Sequence, residues 1–342
     1  MEIQQSTLYV MTQGAYLHRD HLTVVVEVNR ERKLGIPLHN LESVVLFGNV
    51  MVSPGVLELC AGAGVAVSFL SEGGRLLARV DAPVSGNVLL RREQFRQADS
   101  EQRSLEYSRA IVAGKVQNAR ANLMRAARDN AADEDQQALQ GAVIELASMS
   151  RKLEFCETRD EVRGTEGAAA RSYFGVFPNM VRQDRPVFAP KGRTRRPPLD
   201  RCNALLSFLY ALLLADCSAA LSGAGLDPNV GFLHHDRPGR PSLGLDLMEE
   251  FRPMVDRLVL TLINRRQVAE SGFTLREGGA VEISAETRRA VIAAWQQRKQ
   301  EQVTHPLLQQ STRVGLLPHL QARILARAIR GEAPGYMPCM LK

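Results

Sequence analysis

The segment SLEYSRAIVAGKVQNARANLMRAARD, Ser104 to Asp129, sets apolar side chains three and four residues apart with charges between them. That spacing lines the apolar groups along one face and predicts a long amphipathic helix. Glu134–Glu154 repeats the pattern. Ahead of residue 100 the period is different. Thr7–Met11, Thr23–Val28 and Ser43–Phe47 are short runs rich in β-branched residues, parted by turn formers such as Gly14, Asn29 and Gly48. They predict strands, as do Val65–Leu70 and Leu76–Val80. Ser53-Pro54-Gly55 predicts a short helix, with Ser53 as N-cap and Pro54 at its first position, ending at Gly62 and Gly64. The fold class is therefore α+β. A small N-terminal β-rich domain covers 1–85, a linker 86–100, and a larger all-α domain 101–342.

Farther along, Val181–Arg201 holds four prolines and seven Arg or Lys against two Asp and predicts a basic loop. The apolar helix Asn203–Leu221 follows. A helical stretch runs from about Ser242 toward Ala269, with a kink or break expected at Pro253. Ser284 is the expected N-cap of a helix through Gln302, and Leu316–Arg330 supplies the last one.

A chain of 342 residues accommodates two domains, and 45% apolar residues suffice for cores in both. The net charge of +6 and isoelectric point near 9.2 suit an anionic partner, a nucleic acid or a membrane surface. Cys60, Cys156, Cys202, Cys217 and Cys339 are odd in number and widely spaced, which argues against a disulfide framework or a zinc knuckle and for a reducing cytoplasm. The opening MEIQQSTLYV lacks the basic start and apolar run of a signal peptide. Ala204–Ala215, the most apolar stretch, is too short to span a bilayer and predicts a buried helix. A soluble intracellular protein, with no membrane partner, is expected.

Three places carry candidate chemistry. In Arg163-Gly-Thr-Glu166-Gly-Ala-Ala-Ala-Arg171-Ser-Tyr-Phe174, small residues flank one carboxylate and leave room for a ligand or metal; taken alone, Glu166 better suits an ordinary helix surface. In Gly231-Phe-Leu-His234-His235-Asp236-Arg237, His234 suits either a ligand or a hydrogen-bonded core histidine. Asp246, Glu249 and Glu250 crowd one helical face, which calls for a neutralising cation unless that face is solvated. Together they suggest two carboxylates and one imidazole, a donor set for Mg²⁺ or Mn²⁺ and for metal-assisted attack on a phosphodiester. Arg237, Arg240, Lys191, Arg193, Arg195 and Arg196 are candidate phosphate contacts. A P-loop, a dinucleotide-binding glycine motif after a strand, HExxH and GxSxG are all missing from the sequence, which disfavours the enzyme classes they mark.

These words resemble the CRISPR-associated adaptation integrases. Gly-Thr-Glu166-Gly-Ala-Ala-Ala-Arg171-Ser-Tyr-Phe resembles their first motif, Gly231-Phe-Leu-His234 their second, and Pro241-Ser-Leu-Gly-Leu-Asp246-Leu-Met-Glu249-Glu250-Phe-Arg-Pro their third. Arg196-Pro-Pro-Leu-Asp200-Arg-Cys-Asn203 through Tyr210 resembles the family helix bearing an Asn and a Tyr, and Ser6-Thr7-Leu8-Tyr9-Val10 its opening. Thr304-His305-Pro306 and Gly315 to His319 resemble members from type I-C systems. The resemblance implies that Glu166, His234 and Glu249 are catalytic metal ligands for Mg²⁺ or Mn²⁺. Asp246, Asn203 and Tyr210 would support them from behind, Arg171 would join the DNA contacts, and Glu250 and His235 would point elsewhere. It further implies a cytoplasmic DNA endonuclease and integrase with its chemistry in the helical catalytic domain. Such an enzyme joins 3′-hydroxyl ends of spacer DNA into a CRISPR repeat without ATP. Its partners would be double-stranded DNA, a second copy in a homodimer, and the small protein Cas-two, two dimers being bridged by one partner dimer. The β domain would supply dimer and partner contacts. A stand-alone structure-selective nuclease, a transposon-type integrase and a non-enzymatic DNA scaffold are the competing expectations.

Overall fold

The period-two runs at the start of the chain become strands of two small sheets. Residues 7–74, 76–80, 88–129 and 133–341 are described by the computed structural model. The chain divides into two units, Met1–Gly86 and Asn87–Lys342. The first holds β1 (Thr7–Val10), β2 (Tyr16–Asp20), β3 (Thr23–Val28), β4 (Glu31–Pro37), β5 (Ser43–Phe47), β6 (Met51–Val52), α1 (Pro54–Gly62), β7 (Ala66–Leu70) and β8 (Leu76–Val80). One sheet has the order β1-β5-β7-β8, its first three strands parallel; the other has the order β4-β3-β2-β6, antiparallel except for β2 with β6. Leu17, Val24, Val44, Leu46 and Val67 close the core with Val56 and Cys60 of α1. Ser53 caps α1 by accepting from Val56 N at 3.4 Å. β4 escapes the sequence reading because it is an edge strand and nearly all of it is exposed, so it carries no apolar alternation, and β2 because its five residues include His18, Arg19 and Asp20.

The second unit is helical: α2 (Val88–Asp99), α3 (Glu101–Asp129), α4 (Asp133–Lys152), α5 (Arg159–Gly175), α6 (Arg185–Phe188), α7 (Arg201–Gly223), α8 (Ser242–Glu249), α9 (Arg252–Asn264), α10 (Ala285–Gln300) and α11 (Leu317–Ile329). Two expectations are corrected here. The stretch 86–100 is not a linker: residues 86 and 87 lie outside the described residues, and 88–99 form α2. That helix is held by Leu90, which is buried, and by Gln94, whose amide donates to Asp227 O at 2.8 Å and Val230 O at 2.9 Å. Nor is the unit all α. Two hairpins, β9 (Phe273–Leu275) with β10 (Val281–Ile283) and β11 (Gln302–Thr304) with β12 (Ser311–Arg313), have three-residue strands too short to display a period.

The centre of the helical unit is α7, longer than Ala204–Ala215 alone and capped by Asp200 Oδ1, which accepts from Asn203 N at 2.7 Å. By length and composition it is the described helix able to cross a membrane, yet most of it is buried inside the unit, with Leu205, Leu206, Leu209 and Leu213 fully enclosed. It packs on α8, α9 and α11, while α3 packs on α4, α5, α8 and α9. The expected break before Pro253 separates α8 from α9, and Pro253 sits in the first turn of α9, where its missing N–H is harmless. All five cysteines are free and buried.

Candidate active site

Lys115, near the middle of α3, donates its ammonium to Glu166 of α5 and lies 2.6 Å from Glu249 Oε2 of α8. Three helices far apart in sequence therefore meet at one cation. Thr158 caps α5 by accepting from Glu161 N at 3.2 Å, so Glu166 falls on the third turn, facing α3. Glu249 is only 3% exposed and also accepts from Arg252 Nε at 2.8 Å. Burial would raise its pKa, but the charges of Arg252 and Lys115 outweigh that and hold the carboxyl well below the usual range.

His234 is fixed from behind by Asp246, which is fully buried. Its Nδ1 lies 2.7 Å from Asp246 Oδ1, and the same carboxylate accepts from the backbone N–H groups of Phe232 at 2.6 Å, Leu233 at 3.0 Å and His234 at 3.0 Å. A proton on Nδ1 leaves the Nε2 lone pair free. That atom is 4.0 Å from Glu249 Oε1. Gly231 permits the arrangement, since a Cβ there would stand 2.8 Å from Ser242 Cβ and 3.0 Å from Asp246 Oδ2.

Arg252 extends this network toward α7. Its guanidinium lies over the Tyr210 ring, 4.7 Å from the centroid, and the Tyr210 hydroxyl bonds to Asp256. Burial pushes Asp256 up to about 6 against the hydrogen bonds of Tyr210 and Tyr173. Beside Lys115 a small cavity of about 30 Å³ is lined by Tyr173, Arg195, Tyr210 and Arg252 among others.

Glu250, one residue past Glu249, points away from this centre as expected, into a C-terminal clasp. It accepts from Tyr336 Oη at 2.6 Å and Cys339 N at 2.6 Å, while Asn118 of α3 donates to Glu250 O at 2.7 Å and Cys339 O at 2.8 Å. Gly114 makes room: a Cβ there would meet Pro338 Cβ at 2.6 Å. The last residues of the chain thus pin α3 to the α8–α9 junction beside Lys115 and Glu249.

The structure thus gathers Glu166, His234, Asp246, Glu249 and Tyr210 around one place. Asn203 is buried one layer back, donating to Gly192 O at 2.7 Å and accepting from Thr194 N at 3.2 Å, so it anchors the basic loop. Arg193 is the exception among the expected phosphate contacts. It turns inward, donates to Asn203 Oδ1 at 2.8 Å and Ser207 Oγ at 3.2 Å, and lies over the Tyr210 ring at 5.4 Å. Both its Nη groups donate inside, because Asn203 and Tyr210 offer an acceptor and a π-face where a loop cation was expected to hold phosphates. Arg171, Lys191, Arg195, Arg196 and Arg237 are exposed, and Arg240 is half-buried. Burial and the repulsion of Arg237, Arg196 and Arg163 push the Arg240 pKa down, although Asp246 attracts it. Arg240, Arg237, Arg196 and Arg163 thus repel one another, which favours an anion among them.

Sequence reasoning missed Lys115 and Arg252. A signal existed for Lys115, which sits four residues from buried Ile111 and from buried Ala119 and so interrupts an apolar face.

Among the described residues no three His, Cys, Asp or Glu side chains converge tightly enough to hold a metal ion as they stand. The Lys115 ammonium fills the space between Glu166 and Glu249. The donor chemistry nevertheless fits a hard divalent ion: two carboxylates that already require a cation, and one imidazole nitrogen held free.

A strand-rich unit followed by a helical unit with this acid–imidazole centre defines a two-unit α+β protein with a candidate enzymatic site. Residues 8–297 match the family described as CRISPR associated protein Cas1. A relative from Chlorobaculum tepidum, "CRISPR-associated endonuclease Cas1 1", is 48% identical over 339 residues, 99% of each chain. The chain belongs to the Cas1 family. Two solved structures share its fold. "Casposase bound to integration product" has a TM-score of 0.82 at 21% identity, covering 98% of this chain and 92% of the other. "Cas6-RT-Cas1--Cas2 complex" has a TM-score of 0.83 at 23% identity, covering all of this chain and 37% of the other.

Proposed function

We propose that this protein is the metal-dependent DNA endonuclease and integrase of a CRISPR adaptation system, joining 3′-hydroxyl ends of short DNA into a repeat array by transesterification. The observation that carries the reading is the pairing of Asp246 with His234 Nδ1, which aims a free Nε2 toward Glu249 while Glu166 approaches the same place from α5. The name of the 48%-identical relative and the motifs around these residues support it.

Glu166, His234 and Glu249 would hold Mg²⁺ or Mn²⁺. Bound there, the ion supplies Lewis-acid polarisation of a phosphodiester. Asp246 keeps the imidazole in one tautomer and orientation. Arg252 keeps Glu249 ionised and in place. Arg171, Lys191, Arg195, Arg196, Arg237 and Arg240 hold phosphates in register around the centre. The 3′-oxygen of the incoming strand forms a bond to phosphorus as the P–O bond of the repeat strand breaks, and the proton passes to the departing 3′-oxygen. One phosphodiester replaces another, so ATP is not required.

The partners proposed are duplex DNA, a second copy of this chain, and a small Cas2-type protein bridging two dimers. Exposed Tyr16, Leu22, Leu34, Met51 and Leu77 on the strand-rich unit support protein contacts there. The test is strand joining by the purified protein with its partner, using labelled duplex with free 3′ ends and a plasmid carrying leader and repeat. Joining that disappears in chelator and in each of Glu166→Ala, His234→Ala and Glu249→Ala is expected. Cleavage without joining would replace this reading with a nuclease that uses water; joining that survives Glu166→Ala would remove the site assignment.

A further inference from the structure

The loop that carries His234 is held peptide group by peptide group. Asp246 of α8 accepts the N–H groups of Phe232, Leu233 and His234, and Asp236 Oδ1 accepts that of Gly231 at 3.1 Å. The carbonyls have other partners. Arg159 Nη1 donates to Phe232 O at 3.3 Å, Arg163 Nε to Leu233 O at 2.9 Å, and Ser242 Oγ to His235 O at 3.0 Å. The Phe232 ring stacks on Tyr107 of α3, with centroids 4.2 Å apart. Two helices therefore share the grip on Phe232 and Leu233: α8 takes their N–H groups and α5 takes their carbonyls.

Of the two α5 arginines, Arg163 bears more directly on the centre. It stands three residues before Glu166, and side chains at that spacing on a helix are neighbours. The helix that supplies the Glu166 carboxylate thus also holds the carbonyl of the residue immediately before His234. The guanidinium is committed to this task. Its Nε is spent on Leu233 O, its Nη1 donates to Asp160 Oδ1 at 2.5 Å, and its Nη2 is buried. A planar fork fixed at two points sets direction as well as distance. Arg159 supports it from one turn farther back, with its own Nε held by Glu101 of α3 at 2.9 Å.

We propose that Arg163 is a positioning residue: it couples the helix of Glu166 to the loop of His234 and so sets the separation at which these two side chains face a metal ion. The inference rests on the metal role proposed above, and its test separates the two.

The experiment compares the full chain with Arg163→Met, Arg163→Lys and Val291→Ala, the last trimming a buried side chain of α10. Hydrogen–deuterium exchange at the amides of Phe232, Leu233 and His234, in chelator, reports the hold on the loop. Titration calorimetry with Mn²⁺ reports the spacing of the ligands. Arg163→Met keeps the apolar stem and loses every donor. It is expected to exchange about tenfold faster at these amides and to bind Mn²⁺ about tenfold more weakly. Arg163→Lys keeps a donor within reach of Leu233 O and should recover most of both. Val291→Ala should lower the melting temperature and leave both readings parental below it. Should Arg163→Met melt early, Asp160→Ala, at an exposed position, releases the guanidinium without removing it and should move both readings in the same direction by less. Parental Mn²⁺ affinity in Arg163→Met would overturn the proposal, as would an equal loss in Val291→Ala. So would parental exchange together with a salt slope of DNA binding smaller by ~0.9, which would make Arg163 a phosphate contact. A parent that binds no Mn²⁺ would instead overturn the metal role proposed above, and the three amides would still decide whether Arg163 holds the loop.

Discussion

Asp246 stands 2.7 Å from His234 Nδ1 and receives three backbone N–H groups from the same loop, so one buried carboxylate sets both the path of the loop and the orientation of the imidazole. Asp246→Asn is nearly isosteric but supplies a weaker, neutral acceptor and an N–H facing a donor. We expect Mn²⁺ affinity, read by isothermal calorimetry, to fall about 10–100-fold, with strand joining falling alongside it. An affinity unchanged from the parent would deny Asp246 its orienting role.

Lys115 is enclosed between Glu166 and Glu249, and Lys115→Met leaves the two carboxylates facing each other without their shared cation. In chelator the variant should lose on the order of 2 kcal/mol of stability, because Glu166 loses its partner and faces Glu249, which keeps only Arg252. Mn²⁺ should restore much of that loss by replacing the missing cation. Thermal melts with and without the ion check this; an equal melting temperature for variant and parent in chelator would contradict it.

Burial pushes the Glu250 pKa from 4.5 up to about 7, against the hydrogen bonds of Tyr336, Cys339 and Gln321. Between those values the folded protein keeps a proton that the unfolded chain releases. Stability present at low pH is therefore lost as pH rises through that window. Glu250→Gln should flatten this part of the profile, as read by urea unfolding at about pH 5 and about pH 8. A parental slope in the variant would assign the loss to another group.

Arg193 and Arg195 are two residues apart and should behave oppositely. Arg193→Ala removes the inward bonds to Asn203 and Ser207 and should lower the melting temperature. Losing bonds from a charged donor costs about 1.5–3 kcal/mol each. Arg195→Ala, at an exposed position, should leave stability alone and reduce the salt slope of DNA binding by ~0.9. The two readouts are a thermal melt and a salt titration. Exchange of the two phenotypes would contradict the placement of these side chains.

The sequence by itself determined the change of period near residue 100, the caps at Ser53 and Ser284, and the interruption at Pro253, and it offered Glu166, His234 and Glu249 as candidates through their motifs. Each of these rests on local patterns: apolar spacing, side chains that cap their own helix, and motifs a few residues long. Only the tertiary structure decided that Lys115 meets two glutamates, that Arg193 turns inward onto Tyr210, that 88–99 is a helix locked by Gln94, and that Tyr336 and Cys339 clasp Glu250. Those contacts join residues distant along the chain. Whether a lysine on an apolar face or an arginine in a loop is solvated or paired depends on which distant carboxylate or ring packs against it. That is settled by the packing of helices around α7, and no local spacing records it.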